Sequence, residues 1–255
     1  MIARVAKTTL WLLLGHALLA AVYWGLLNVP ESNVLMLAAS ALLALVVVAG
    51  AAVVQGVAVR SLAAGSAPRS ARTLVATGVP AFIASMAVWL ACSWIAGWIG
   101  AWHSAHAGEI DAWLIAHGDW TRTAWLHRGI ELALGFLRYV VGVSLAVGLF
   151  VTWVMGGLSE ALRPRRFAAA LNWKRLLVVT IAVVGLMWLP WQAVSWRPGS
   201  LPATFVEPLF ATIKLGLITL IIHAGWAFIL WSAIPQSKGV VAHGLQPVGS
   251  SPPAG

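Results

Sequence analysis

The sequence predicts an all-α, polytopic integral membrane protein. Six transmembrane helices are expected, arranged as three antiparallel hairpins with both termini inside. Three observations carry this. Of 255 residues, 61% are hydrophobic and 9% are charged, and the mean hydropathy is +0.90. A water-soluble domain carries about 25% charged residues, so this chain is too poor in polar side chains to cover a globule. Six apolar stretches each approach the roughly 20 helical residues that cross a hydrocarbon layer about 30 Å thick. Finally, the basic residues fall between those stretches in a one-sided pattern.

The spans are read at about 8–28, 33–57, 79–101, 131–156, 176–196 and 209–234. Helices are required because lipid offers the backbone no hydrogen bonds and a helix satisfies its own. The first span follows Arg4 and Lys7 as a signal peptide would. Its apolar run is too long, however, and no small-x-small cleavage site follows, so it is expected to be retained. The third span is followed by an outer loop, about 102–130, in which Ile110, Trp113, Leu114 and His117 recur at helical spacing. That pattern predicts a short helix lying in the interface rather than crossing it. The fifth span carries Pro190 near its outer end and is the clearest candidate for a kink; the others read as continuous. Residues 235–255, rich in Pro, Gly and Ser without apolar period, predict a disordered cytoplasmic tail.

Orientation follows from charge. Eleven of the sixteen Lys and Arg residues lie on one side, at Arg4 and Lys7, Arg60, Arg69 and Arg72, the stretch Arg163–Arg175, and Lys238. Cytoplasmic loops are enriched in Lys and Arg, so this side is inside. Six of the seven acidic residues lie on or near the other side, Glu160 being the exception. Tryptophans such as Trp94, Trp98 and Trp191 toward one face and Trp11, Trp153 and Trp173 toward the other suit the headgroup boundary. The expected location is the cytoplasmic (inner) membrane of a bacterium, the source being inferred from Ala-rich, Arg-over-Lys usage.

The formal net charge of +9 does not indicate a nucleic-acid partner, because the cations flank spans rather than forming a basic patch with interleaved aromatics. Anionic lipids at the cytoplasmic face are the expected partners of Arg163, Arg165, Arg166, Lys174 and Arg175. Cys92 is the only cysteine, which excludes an internal disulfide and a cysteine-built metal cage. Small residues such as Gly135, Gly142, Gly148 and Gly156 suit close helix packing, within the chain or against a membrane-protein partner or second copy.

Candidate functional residues fall into three groups. Glu131 precedes Arg138, and Glu207 precedes Lys214, at the same spacing of seven. This suggests that the second and third hairpins are related by duplication; Glu31 has Ala38 at the matching position. Arg138 and Lys214 either snorkel toward these helix-starting carboxylates or bind an anionic headgroup or solute, since cations within a span are costly. His16 and His223 lie near the centres of the first and last spans. They are either satisfied by neighbouring polar groups or form a proton path or a pair of haem ligands. In the outer loop, His103, His106, Glu109 and Asp111 supply the donors of a zinc-type site, and His117, Asp119 and His127 lie near them. The spacing matches no zinc-peptidase signature, and a hydrated loop collects such residues in any case.

No phosphate-binding Gly-rich loop, Gly-x-Ser-x-Gly elbow or Cys/His nucleophile pairing is present, and no carboxylate lies deep in a span. No cofactor is expected. The leading expectation is a non-catalytic component or accessory of a membrane complex or lipid-related process. The alternatives are a permease for an ion or small anionic solute using Arg138, Lys214, His16 and His223, or a metal-dependent enzyme acting at the outer face through the His103–Asp111 loop.

Overall fold

Every regular element of the computed structural model is a helix; it describes residues 2–30, 33–63, 71–118, 123–196 and 206–234. Glu31, Asp119 and the 235–255 tail lie outside the described residues. The chain forms α1 (Ile2–Leu27), α2 (Val34–Leu62), α3 (Ala71–Gly118) and α4 (Ala124–Phe136). A π-helical turn, Leu137–Val141, joins α4 to α5 (Gly142–Gly156). The short helices α6 (Leu158–Ala161) and α7 (Pro164–Ala170) lead to α8 (Trp173–Ile181). A second π-helical segment, Ala182–Trp188, connects α8 to α9 (Leu189–Gln192), and α10 (Val206–Ala233) completes the chain. Six helical stretches are long and apolar enough to cross a membrane, which makes this a multi-pass membrane protein.

Local chemistry sets the boundaries. Asn33 caps α2 by accepting the Met36 N–H, and Asn172 caps α8 by accepting the Lys174 N–H. Pro164 opens α7 where a missing N–H costs nothing. At Gly157, φ is +86°, a conformation strained for any residue with a Cβ, and it turns the chain out of α5.

Two features depart from the sequence reading. The helix of the third span does not stop near residue 101. It continues unbroken to Gly118, and its 48 residues give a length of about 72 Å. The stretch expected to be loop plus interfacial helix is thus a direct extension of α3 up to that residue, because helix formation needs no apolar surface once backbone bonds propagate. The fourth and fifth spans are interrupted by π-helical segments rather than continuous. In the fifth, the segment lies just upstream of Pro190, whose missing N–H and ring disturb the preceding turn.

The core gathers at one end of the bundle, hereafter the base. There α5 is buried almost all round, from Ala146 to Thr152 and again at Val154. Around it lie Leu12, Val54, Ala58 and Val59 of the first two helices, Val179 and Ala182 of the fifth span, and Ala227, Ile229 and Leu230 of α10. Helices α1 and α2 meet stepwise: Thr8 hydrogen-bonds Ser61 at 2.7 Å, the Trp11 indole donates to Val54 O at 3.2 Å, and Leu19 lies over Gly50.

Glycines set some of the closest approaches. A Cβ on Gly225 of α10 would stand 2.8 Å from Leu186 Cβ, an atom fixed to its backbone. Alanine normally stabilises a helix interior relative to glycine by up to about 1 kcal/mol. Here the overlap forces α10 away from the π-helical segment, and Gly225→Ala should destabilise by about 1–2 kcal/mol. Gly97→Ala, with nothing within 4 Å, should be neutral or stabilising. Thermal unfolding of both variants in detergent checks this; equal midpoints would show that α10 shifts freely at Gly225.

Candidate functional site

Within the spans, the polar side chains of α1, α2 and α10 meet in one hydrogen-bonded chain. His16 Nδ1 lies 3.0 Å from His223 Nε2, His16 Nε2 lies 3.3 Å from Gln55 Nε2, and the Trp226 indole lies 2.8 Å from Gln55 Oε1. His223 Nδ1 lies 2.7 Å from Thr219 O. A carbonyl only accepts, so His223 carries its proton on Nδ1 and presents a bare Nε2 to His16. His16 must then donate from Nδ1, leaving Nε2 to accept from the Gln55 amide, whose oxygen accepts from Trp226. The sense of the bonds is therefore fixed from indole to carbonyl, with both imidazoles neutral.

The chemistry of this arrangement is restrictive. A proton added at His16 Nε2 would face the N–H groups of Gln55, donor against donor. Turning the amide to accept it would leave the Trp226 N–H without its acceptor. An iron held between two imidazoles needs both lone pairs, and here one ring's lone pair receives the other's N–H. The residues as placed do not fit a bis-histidine haem. Gln55 was missed by sequence reasoning; a lone amide in an otherwise apolar run was the available signal.

At the far end of α3 a second chain forms across α3 and α4. His127 places Nε2 2.7 Å from Asp111 Oδ1 and Nδ1 2.8 Å from His103 Nε2. His103 and Asp111 lie eight residues apart and share a face of α3, where His127 reaches both. His106 instead donates to Trp102 O at 2.8 Å and stacks on that indole, while Glu109 is exposed. The four expected ligands are thus not brought together. Among the described residues no group of three His, Cys, Asp or Glu is placed to hold a metal. His117 repeats the His106 arrangement against Trp113. The cause is an eleven-residue repeat, Ala-Trp-x-x-Ala-His, at 101–106 and 112–117, which sequence reading also overlooked.

The cations separate into different roles. Lys214 donates to Val194 O and Trp196 O, both at 2.7 Å, just past the end of α9, where carbonyls lack helical partners. Arg175 donates to Ser144 O at 2.9 Å, and Ser144 donates to Ala170 O, tying α7 and α8 to α5. Arg138 stands over the Tyr139 ring, 5.2 Å from its centroid, and forms no ion pair with Glu131 among the described residues. Glu131 lies well inside α4, so it does not start that helix, whereas Glu207 does occupy the first turn of α10.

Glu160 gathers Arg163, Arg165 and Arg166 in the connection after α5. Hydrogen bonds from Arg166, then from Arg165, together with the nearby Arg163 charge, hold its carboxyl below the usual range. The sequence matches no family model, and no curated protein or solved structure is significantly similar to it.

Two outcomes follow. His223→Ala and His16→Ala should each destabilise the protein, and a double-mutant cycle should give a coupling of about 0.5–2 kcal/mol; additive effects would mean the pair fixes nothing. Because the Glu160 carboxyl is lowered on folding, its contribution is present above the unfolded value near pH 4.3. It is lost as pH falls through the lower folded value. Glu160→Gln should remove that acid-side loss from the stability profile measured between about pH 6 and pH 3; an unchanged profile would assign the loss to other groups.

Proposed function

We propose that this chain is a non-catalytic component of a bacterial cytoplasmic membrane, serving a membrane complex or a lipid-related process. In this reading the six spans form three antiparallel hairpins with both termini in the cytoplasm. The stepwise contacts between α1 and α2 support the first hairpin, and the one-sided distribution of Lys and Arg supports the orientation.

One observation carries the functional reading. The two mid-span histidines, with Gln55 and Trp226, are engaged with one another in a single, neutral, directional chain running from Trp226 to Thr219. Such a chain holds helices together and offers no vacant lone pair for a passing ion. The permease reading loses a second support in Lys214, whose ammonium is engaged by two backbone carbonyls.

The test is purification of the full chain from its native membrane in mild detergent, followed by quantitative protein and lipid mass spectrometry. A protein partner or a particular lipid retained in near-stoichiometric amount is the expected result. A preparation retaining neither, alongside uptake of a small anion into vesicles that is lost in His16→Ala, would replace this reading with the permease.

A further inference from the structure

A cavity of about 330 Å³ lies between α3, the π-helical turn with α5, and α10. That volume falls among small-ligand pockets. Its α3 wall is Phe82, Ser85, Met86 and Trp89, which share one helix face, with the Ser85 hydroxyl donating to Ala81 O of its own helix. Along the opposite wall it runs from Tyr139 to Phe150, about 16 Å at 1.5 Å per residue. The cavity is therefore a slot parallel to the helices rather than a sphere. Phe82 meets Phe150 edge to face, with ring centroids 6.4 Å apart, toward the base. Gln55 and Trp226, joined by their hydrogen bond, form the wall toward α1.

The slot has a side opening and a charged neighbour at one end. Met86 and Tyr139, both lining the slot, are 41% and 46% exposed, so the slot is reached from the lipid. Arg138, exposed and over the Tyr139 ring, stands at the end away from the base. It makes no ion pair among the described residues. Its charge lies within an apolar span, where a cation is costly unless it reaches headgroups or an anion. The π-helical turn holds Arg138 and Tyr139, so one irregularity shapes both the mouth and the charge beside it.

We propose that this slot binds one chain of an anionic amphiphile, with the chain between α3 and α5 and the anionic head at Arg138. The aromatic walls offer large contact area to a hydrocarbon chain, and empty apolar cavities take up apolar ligands rather than water. The site gives the lipid-related reading a ligand class and rests on it only in that respect. Loss of a co-purifying partner would leave slot binding measurable, and an empty slot would leave partner retention measurable.

The experiment uses the full chain in nanodiscs of phosphatidylcholine alone. Dodecyl phosphate is titrated as the probe, with dodecylphosphocholine as the zwitterionic control of equal chain length, and binding is read by thermal shift and native mass spectrometry. Saturable binding of one dodecyl phosphate is expected, with at least tenfold weaker binding of the control. Arg138→Gln should abolish the preference for the anion. Ala146→Phe and Val143→Trp each fill the slot and should abolish binding of both probes; using two variants guards against one failing to fold. Uptake that never saturates, or equal binding in a folded slot-filled variant, would overturn the site. Equal discrimination by Arg138→Gln would overturn the headgroup assignment.

Discussion

A polar group inside a bilayer has no water to fall back on, and the hydrogen-bonded chain from Trp226 through Gln55, His16 and His223 to Thr219 meets that constraint with protein alone. Each bond has one permitted sense, so sliding α1, α2 or α10 by a residue would break several at once. The close approaches of Gly15 to Val54 and of Gly50 to Leu19 depend on the same register. So does the position of the Trp226 indole, which serves the chain and walls the slot. Van der Waals packing alone would tolerate small shifts in register; a directional chain does not.

The base of the bundle uses a second device. While Glu160 gathers three arginines there, two further cations are set against backbone carbonyls. Arg60 donates to Val154 O near the end of α5, and Arg175 donates to Ser144 O. Lys214 does the same for the carbonyls after α9 at the other end of its span. A helix C-terminal end presents unpartnered carbonyls and a negative dipole, and Arg60 and Lys214 answer both, whereas Arg175 adds a second bond to a carbonyl in the first turn of α5. This explains how cations sit close to spans that hold almost no acid. It also isolates Arg138, which stands over an aromatic face instead.

Much of this was legible in the sequence, for identifiable reasons. Composition alone located six spans, because crossing a membrane demands apolar length. His16 and His223 were legible as residues of similar depth, and the structure brings their rings together. Gln55 was not, since a third partner on a third helix leaves no spacing signal. His103 and Asp111 were read as loop donors of a zinc-type site; that they share a face of α3 was not legible while 102–130 read as a loop, and the side chain between them, His127, comes from α4. The α3 extension escaped because hydropathy falls after Trp102 while backbone bonding does not. The π-helical turns escaped because one residue more or less in a turn leaves the apolar pattern nearly unchanged.

The two histidine chains differ in how they end. The inner one runs from an indole to a carbonyl, neither of which gains or loses a proton under ordinary conditions, so the chain is closed at both ends. The one at the far end of α3 finishes on the Asp111 carboxylate. If His127 donates there from Nε2, it accepts from His103 at Nδ1, and His103 keeps a bare Nδ1 at the other terminus. The inner chain is therefore enclosed by its own partners, whereas the one at the α3–α4 junction runs from a histidine buried in the contact to an acid at its edge. The inner chain ties α1, α2 and α10 and walls the slot, and the outer one ties α3 to α4.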